Sequence, residues 1–205
     1  MKRIFGLLFF VALGAAFWVS QGTQQPLLRE LAQQAKTVSR QASENFSTQL
    51  QAAKAPEPTG QQLSKYEKIL CDLANQERRK RGLSALKITP ALADVARGHS
   101  QEMMQKNYFS HTSPTAARRS LLDRYKLKYK RDPRFVAENI YMLKTSGNYT
   151  LTESDFRRAH TGWMNSPGHR ANILRTEPLS PAQIGVGIIV KNGSFWATQN
   201  FATPQ

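Results

Sequence analysis

The sequence predicts an α+β domain, and three observations carry that expectation. Tyr66, Ile69, Leu70, Leu73 and Ala74 recur at spacings of three and four, as do Leu92, Val95, Ala96, His99 and Met103, which marks two amphipathic helices. Two strand-like runs, residues 185–190 and 195–201, close the chain. Between them stands Asn192-Gly193, a dipeptide that accepts the left-handed conformation of a tight hairpin turn.

The 205 residues allow one domain with a sizeable core plus appendages. The first appendage is residues 1–20, where Lys2 and Arg3 precede the apolar run 4–19. Sixteen residues at ~1.5 Å of rise reach about 24 Å, slightly short of the roughly 30 Å hydrocarbon core. A cleaved signal peptide wants small residues just after such a run, but Phe17 and Trp18 stand near its end, and Trp18 suits a membrane interface. The expectation is therefore a signal anchor that holds the domain outside the cytoplasm, with a cleaved and secreted form as the alternative. Residues 21–62 are rich in Gln, Ala, Ser and Thr and end in Pro56-Glu57-Pro58-Thr59-Gly60, so they read as a polar linker. Leu28, Leu31, Ala35, Val38, Ala42 and Phe46 also recur at helical spacing, which makes a helical stalk the second reading of that segment.

Residues 63–205 read as the globular domain. Its first helix should stop at Gly82; Thr89-Pro90 then offers a cap followed by a proline in the first turn of the second helix, expected to run to about residue 107. Residues 109–114 follow as a loop carrying His111, and after a basic segment residues 135–143 look strand-like around Glu138, with a short helical turn as the alternative. Thr152 or Ser154 can cap a third helix through residues 163–165, which Ser166-Pro167-Gly168 should end. A single cysteine, Cys71, permits no internal disulfide and sits on the first helix as a small buried hydrophobe. His99 reads as a core histidine, His160 as a surface or helix-packing residue, and Trp163 and Trp196 as core anchors.

The formal net charge of +15 is concentrated in Arg78-Arg79-Lys80-Arg81 and in residues 118–134, where eight Arg and Lys face only Asp123 and Asp132. In a cytoplasmic protein such a balance points to nucleic acid. Behind an export signal the accessible polyanions are different, so no nucleic acid is expected, and an anionic envelope component, lipid headgroups or wall polymer, becomes the expected partner. A solvated face that aids solubility is the competing explanation. Oligomeric state stays open.

Chemistry-bearing residues gather in a few short motifs: Ala74-Asn75-Gln76-Glu77-Arg78, Phe109-Ser110-His111-Thr112-Ser113-Pro114, Ala137-Glu138-Asn139-Ile140, the run from Trp163 to Leu174, Ile184-Gly185-Val186-Gly187-Ile188, and Trp196-Ala197-Thr198-Gln199-Asn200-Phe201. In this order they resemble the CAP superfamily, the cysteine-rich secretory protein, antigen 5 and pathogenesis-related 1 group, and in particular its bacterial SCP-domain branch. The resemblance implies an α-β-α sandwich and a cleft in which His111, His169 and Glu138 fall on two histidines and one glutamate of the family's tetrad. The fourth position, a glutamate three residues after the tryptophan in tetrad-bearing members, is Ser166 here.

What the resemblance brings together could act in three ways. Two imidazoles and a carboxylate suit Zn2+ or another divalent metal with water in the open position, so His111, His169 and Glu138 are the candidate ligands. The same three are the candidate catalytic residues for general acid/base work, as in a metal- or His/Glu-assisted hydrolase acting on peptide or cell-wall substrates. Alternatively they form a hydrogen-bonded scaffold beneath a binding module of the cell envelope. Spacing gives no independent support, because no H-E-x-x-H pair occupies one helix. Ser166, Arg170, Asn172 and Gln199 are the expected lining of the cleft. Thr112, Ser113 and Ser166 have nucleophilic hydroxyls, but no G-x-S-x-G elbow accompanies them.

Overall fold

The structure, a computed structural model, describes residues 25–52, 57–145, 149–176 and 179–205. The expected membrane segment, residues 4–19, lies outside the described residues, and no helix among them is long and apolar enough to cross a membrane. The chain divides into two compact units, residues 1–53 and 54–205. Within the first, residues of the linker form one helix, α1 (Gln25–Ala52), on which Leu31 and Val38 are exposed.

The second unit starts with α2 (Gly60–Arg79). Thr59 and Gln62 cap it reciprocally: the Gln62 amide donates to Thr59 Oγ1 at 3.4 Å and the Thr59 amide to Gln62 Oε1 at 2.8 Å. The chain leaves α2 through Gly82, forms the short strand β1 (Lys87–Ile88), and enters α3 (Pro90–Gln105). Pro90 occupies the first turn of α3, where its missing N–H costs nothing. Thr89 holds the cap position, but its hydroxyl donates to Lys87 O at 3.2 Å and does not cap the helix. All five residues of the expected apolar stripe, Leu92, Val95, Ala96, His99 and Met103, are buried.

Charge concealed one helix from the sequence reading. After a 3₁₀ turn (Ala116–Arg118), α4 (Leu121–Tyr129) lies inside the basic segment, opened by a capping box in which the Asp123 amide and carboxylate bond Ser120 reciprocally. Strand β2 (Pro133–Leu143) follows, then α5 (Glu153–Asn165) with Thr152 and Asp155 as its capping box. Ser166-Pro167-Gly168 does end α5 but also begins α6 (Pro167–Leu174), because Ser166 serves as the last cap of one helix and the first of the next. Finally β3 (Gln183–Lys191) and β4 (Ser194–Pro204) form the hairpin, with Asn192 and Gly193 at φ 51° and 71°.

The sheet order is β1-β3-β4-β2, with β1 parallel to β3 and the other pairs antiparallel. Side-chain alternation divides it into two buried faces. Ala137 and Tyr141 of β2, Ala197 and Phe201 of β4 and Ile184, Val186 and Ile188 of β3 join Leu70, Phe156, Trp163 and Ile173 of α2, α5 and α6 in the main core. On the opposite face Ile140 and Trp196 pack on Met103 of α3, and Ala202 packs with Leu92 and Tyr125. Helices therefore cover both faces, which is the α-β-α sandwich. Gly185 and Gly187 let α3 lie directly on β3: a Cβ there would come within 2.3 Å of the Ala93 nitrogen and 2.0 Å of the Arg97 nitrogen.

Two of the clustered cations are not on the surface at all. Arg78, expected in an exposed basic cluster, is 2% exposed and donates to Ser84 O at 2.8 Å, Ile173 O at 2.9 Å and Arg175 O at 3.0 Å. It satisfies carbonyls at the end of α6 that the helix itself leaves open. Arg124 is likewise buried. Cys71 is buried too, and burial first, then the nearby Asp72 and Glu67, pushes its thiol up to about 12, so it stays protonated.

Candidate functional site

Glu138 lies on β2, one of the two edge strands of the sheet, on the face turned towards α3 and α4. Its two oxygens have different partners. His111, reaching over from the loop between α3 and the 3₁₀ turn, donates from Nδ1 to Oε1 at 2.9 Å. Arg124 of α4 donates from Nη2 to Oε2 at 2.7 Å. Since an ionised carboxylate can only accept, His111 carries its proton on Nδ1 and has Nε2 directed elsewhere. Burial opposes the charged form of Glu138, but the His111 bond and the Arg124 charge outweigh it and hold the carboxyl below the usual range.

Beneath this pair lies His99, fully buried, with Nε2 3.0 Å from Ser110 O and 3.7 Å from Glu138 Oε1. Burial lowers its proton affinity first, with the Glu138 charge working the other way, so the ring is neutral near pH 7 and donates to the carbonyl. The core-histidine expectation is met, and the same residue also holds the backbone one position before His111.

Glu102 fixes the rest of that loop. Its carboxylate accepts from Ser113 Oγ at 2.8 Å, Tyr108 OH at 3.2 Å and Thr115 Oγ1, and pairs with Lys106 Nζ at 3.1 Å. Burial alone would raise its pKa; these bonds override it and bring it to about 2. Ser113, a nucleophile candidate by chemistry, is thus 2% exposed and engaged with Glu102.

On the other face of β2, α6 is tied down by amides. Asn139 donates from Nδ2 to His169 O at 3.2 Å and to Gln199 Oε1 at 3.0 Å, while Asn172 Nδ2 donates to Asn139 Oδ1 at 2.9 Å and Glu138 O at 3.3 Å. These bonds bring His169 to the sheet edge on which His111 sits. Burial, and next the neighbouring His111, lowers the pKa of His169, whose ring takes no hydrogen bond among the described residues. Of the expected lining, Asn172 and Gln199 join the Asn139 network, Ser166 marks the start of α6, and Arg170 donates to Met164 O at 3.0 Å and is exposed.

The structure therefore brings His111 and Glu138 into direct contact and leaves His169 as a neighbour. Among the described residues no three His, Cys, Asp or Glu side chains are gathered so as to hold a metal ion. Sequence reasoning missed Arg124, Asn139 and Glu102. Arg124 stands in a run of otherwise exposed cations, Asn139 adjoins Glu138 in its motif but faces the other way, and Glu102 lies mid-helix.

Comparison with known proteins agrees with this architecture. The family model described as the cysteine-rich secretory protein family, CAP, matches residues 71–201, and the chain belongs to that family. It is 39% identical over 138 residues to the uncharacterized protein YkwD and 38% identical over 135 residues to the uncharacterized membrane protein YlbC, both of Bacillus subtilis. These matches take in 67% and 66% of this chain but 47% and 34% of those proteins, so the chain spans less than half the length of either. An extracellular protein containing an SCP domain from Bacillus anthracis superimposes with a TM-score of 0.57 at 33% identity, over 73% of this chain and 45% of that one. An outer surface protein from Borrelia burgdorferi shares the fold at a TM-score of 0.55 and 19% identity, over 69% of this chain and 94% of that one.

Proposed function

We propose that this chain works outside the cytoplasm as a binding module of the cell envelope, with an anionic envelope component as its partner. The observation that carries the reading is the exposure of the basic segment. Once Arg124 is withdrawn to Glu138, the remaining Arg118, Arg119, Lys126, Lys128, Lys130, Arg131 and Arg134 are all exposed, and among the described residues only Lys126 and Lys128 of these have carboxylate partners, Asp132 and Asp94. Clustered unpaired cations attract a polyanion over about a Debye length and lose that attraction as salt rises. Support for an extracytoplasmic setting comes from the relatives, one an extracellular protein and another a membrane protein, and from the apolar run at residues 4–19. The test is co-sedimentation of the full chain with anionic vesicles and with wall sacculi over a salt series. Binding that falls steeply with salt supports the reading; absent or salt-indifferent binding overturns it.

A divalent cation at the cleft is a second reading, and the orientation of His111 favours it. With Nδ1 bonded to Glu138, the ring is oriented in the way a carboxylate orients a metal-binding imidazole, and His169 is neutral beside it. Two imidazoles would be the protein ligands, and Glu138 would stand behind His111. Zinc calorimetry on the full chain and on the His111→Ala/His169→Ala double variant decides: stoichiometric binding lost in the variant supports it, and no binding by the unaltered chain removes it. The hydrolase alternative asks Glu138 to accept a proton while Arg124 and His111 hold it anionic, which makes it a weak base.

A further inference from the structure

We propose that the groove between α3 and α4 is a subsite for a phosphate group of an anionic phospholipid, with Arg118 as its principal contact. The groove encloses about 280 Å³ and is lined by Asp94, Val95, Arg118, Arg124, Leu127 and Lys128. This inference rests on the envelope-binding reading and names the chemistry of the partner.

Four features of the groove point to an anion. Arg118 is exposed and has no carboxylate within ion-pair distance among the described residues. Its guanidinium lies against the bare backbone of Gly98, where a Cβ would stand 3.3 Å from Nη2, so the helix leaves room for it there. Arg124, 4% exposed, lines the same groove and has a buried Nε–H with no hydrogen-bond partner, although its other nitrogens are engaged with Glu138, Arg118 O and His111 O. That unmet donor leaves part of the Arg124 charge without a hydrogen-bond partner beneath the groove wall, a costly arrangement that a nearby negative charge offsets electrostatically. Asp94, the one acidic wall, is neutralised by Lys128 at 2.8 Å and Arg97 at 3.0 Å.

A bilayer is favoured over a soluble polymer by what surrounds the groove. Leu127 of α4 lines the groove, is 44% exposed and lies between Lys126 and Lys128. An exposed leucine flanked by lysines suits the headgroup region of a membrane, where an apolar side chain enters the acyl boundary and cations meet phosphate. A wall polymer has no apolar layer for it.

The test floats the full chain with phosphatidylcholine vesicles made with and without phosphatidylglycerol, and reads the ratio of the two retentions. Residues 4–19 contribute to both arms alike. The native chain is expected to favour the anionic vesicles, Arg118→Glu to cut that preference roughly tenfold, and Arg119→Glu, a neighbour outside the groove, to change it about threefold or less. Circular dichroism checks that both surface variants keep the fold. Equal losses for the two variants would mean a diffuse field, which overturns the groove and spares the envelope reading. Arg118-dependent binding to wall sacculi with no vesicle preference would overturn the phospholipid. No preference for any anionic surface would overturn this inference and the envelope reading together.

Discussion

Arg124 Nη2 stands 2.7 Å from Glu138 Oε2 with both side chains buried, and this one ion pair fastens α4 to the edge strand directly beneath the His111 loop. Truncating one member leaves the other charged and without its partner in the interior. Arg124→Met should therefore cost roughly 3–5 kcal/mol, seen as a fall in the denaturant midpoint. Replacing both residues, Arg124→Met with Glu138→Leu, should recover a large part of that loss, because no buried charge remains. Equal and additive single losses would mean that the pair is not coupled.

Acid should weaken the fold in a window set by groups whose folded pKa lies below the unfolded value. Glu102 at about 2, against about 4.3 for an unperturbed glutamate, binds its proton in the unfolded chain first as pH falls. Its contribution is complete above the ordinary carboxylate range and disappears towards pH 2. His99 acts with the same sign at higher pH: its lowered affinity means stability begins to fall below about pH 6.5, as the unfolded imidazole takes up a proton that the folded one refuses. Glu102→Gln should cost roughly 2 kcal/mol at neutral pH and flatten the stability curve between about pH 4.3 and 2. Urea unfolding at a series of pH values reads both effects; an unchanged slope in the variant would assign the acid loss to other carboxylates.

The parts of this fold legible in the sequence are those written in local periodicity. The apolar stripe of α3 from Leu92 to Met103, the Asn192-Gly193 turn and the Thr152 cap need only neighbours in the chain, and each forms where the pattern puts it. Helix α4 was hidden because Tyr125, Leu127 and Tyr129 alternate with lysines at the spacing of a strand, inside a run of charges, and α6 because Ser166-Pro167-Gly168 reads equally as a stop and as a start. At the site, His111 and Glu138 carry a motif, whereas the burial of Arg124 and Arg78 depends on carbonyls and a carboxylate that tertiary packing brings near. A cation in a run of cations shows no local sign of being the one turned inward.

Gly187 is expected to tolerate no side chain. A Cβ would lie 2.0 Å from the Arg97 nitrogen and 2.6 Å from the Ala96 carbonyl carbon, both backbone of α3, which cannot turn aside as a flexible side chain would. The helix would have to lift off β3, straining the bond from Ser100 Oγ to Gly187 O at 2.9 Å and shifting His99 and Glu102 with it. Gly187→Ala should destabilise by roughly 3 kcal/mol or more. Thermal unfolding measures the loss, and a variant as stable as the native chain would show that α3 packs less closely than the contact distances indicate.

Arg78 links stability to the position of His169. Its guanidinium donates to Ser84 O, Ile173 O and Arg175 O, so it closes the loop after α2 and holds the last turn of α6, the helix on which His169 lies. Arg78→Met would leave buried carbonyls without donors, at a cost of roughly 2–4 kcal/mol. Lysine should rescue little, because a single ammonium cannot spread over three carbonyls as the planar fork does. The loss should also be local as well as global: amide exchange in α6 should rise more than in α3, whose ends are held elsewhere, and the His169 ring resonances should move while those of His99 stay. Uniform exchange changes across both helices would mean that Arg78 supports the domain as a whole and does not hold His169 at the edge of the sheet.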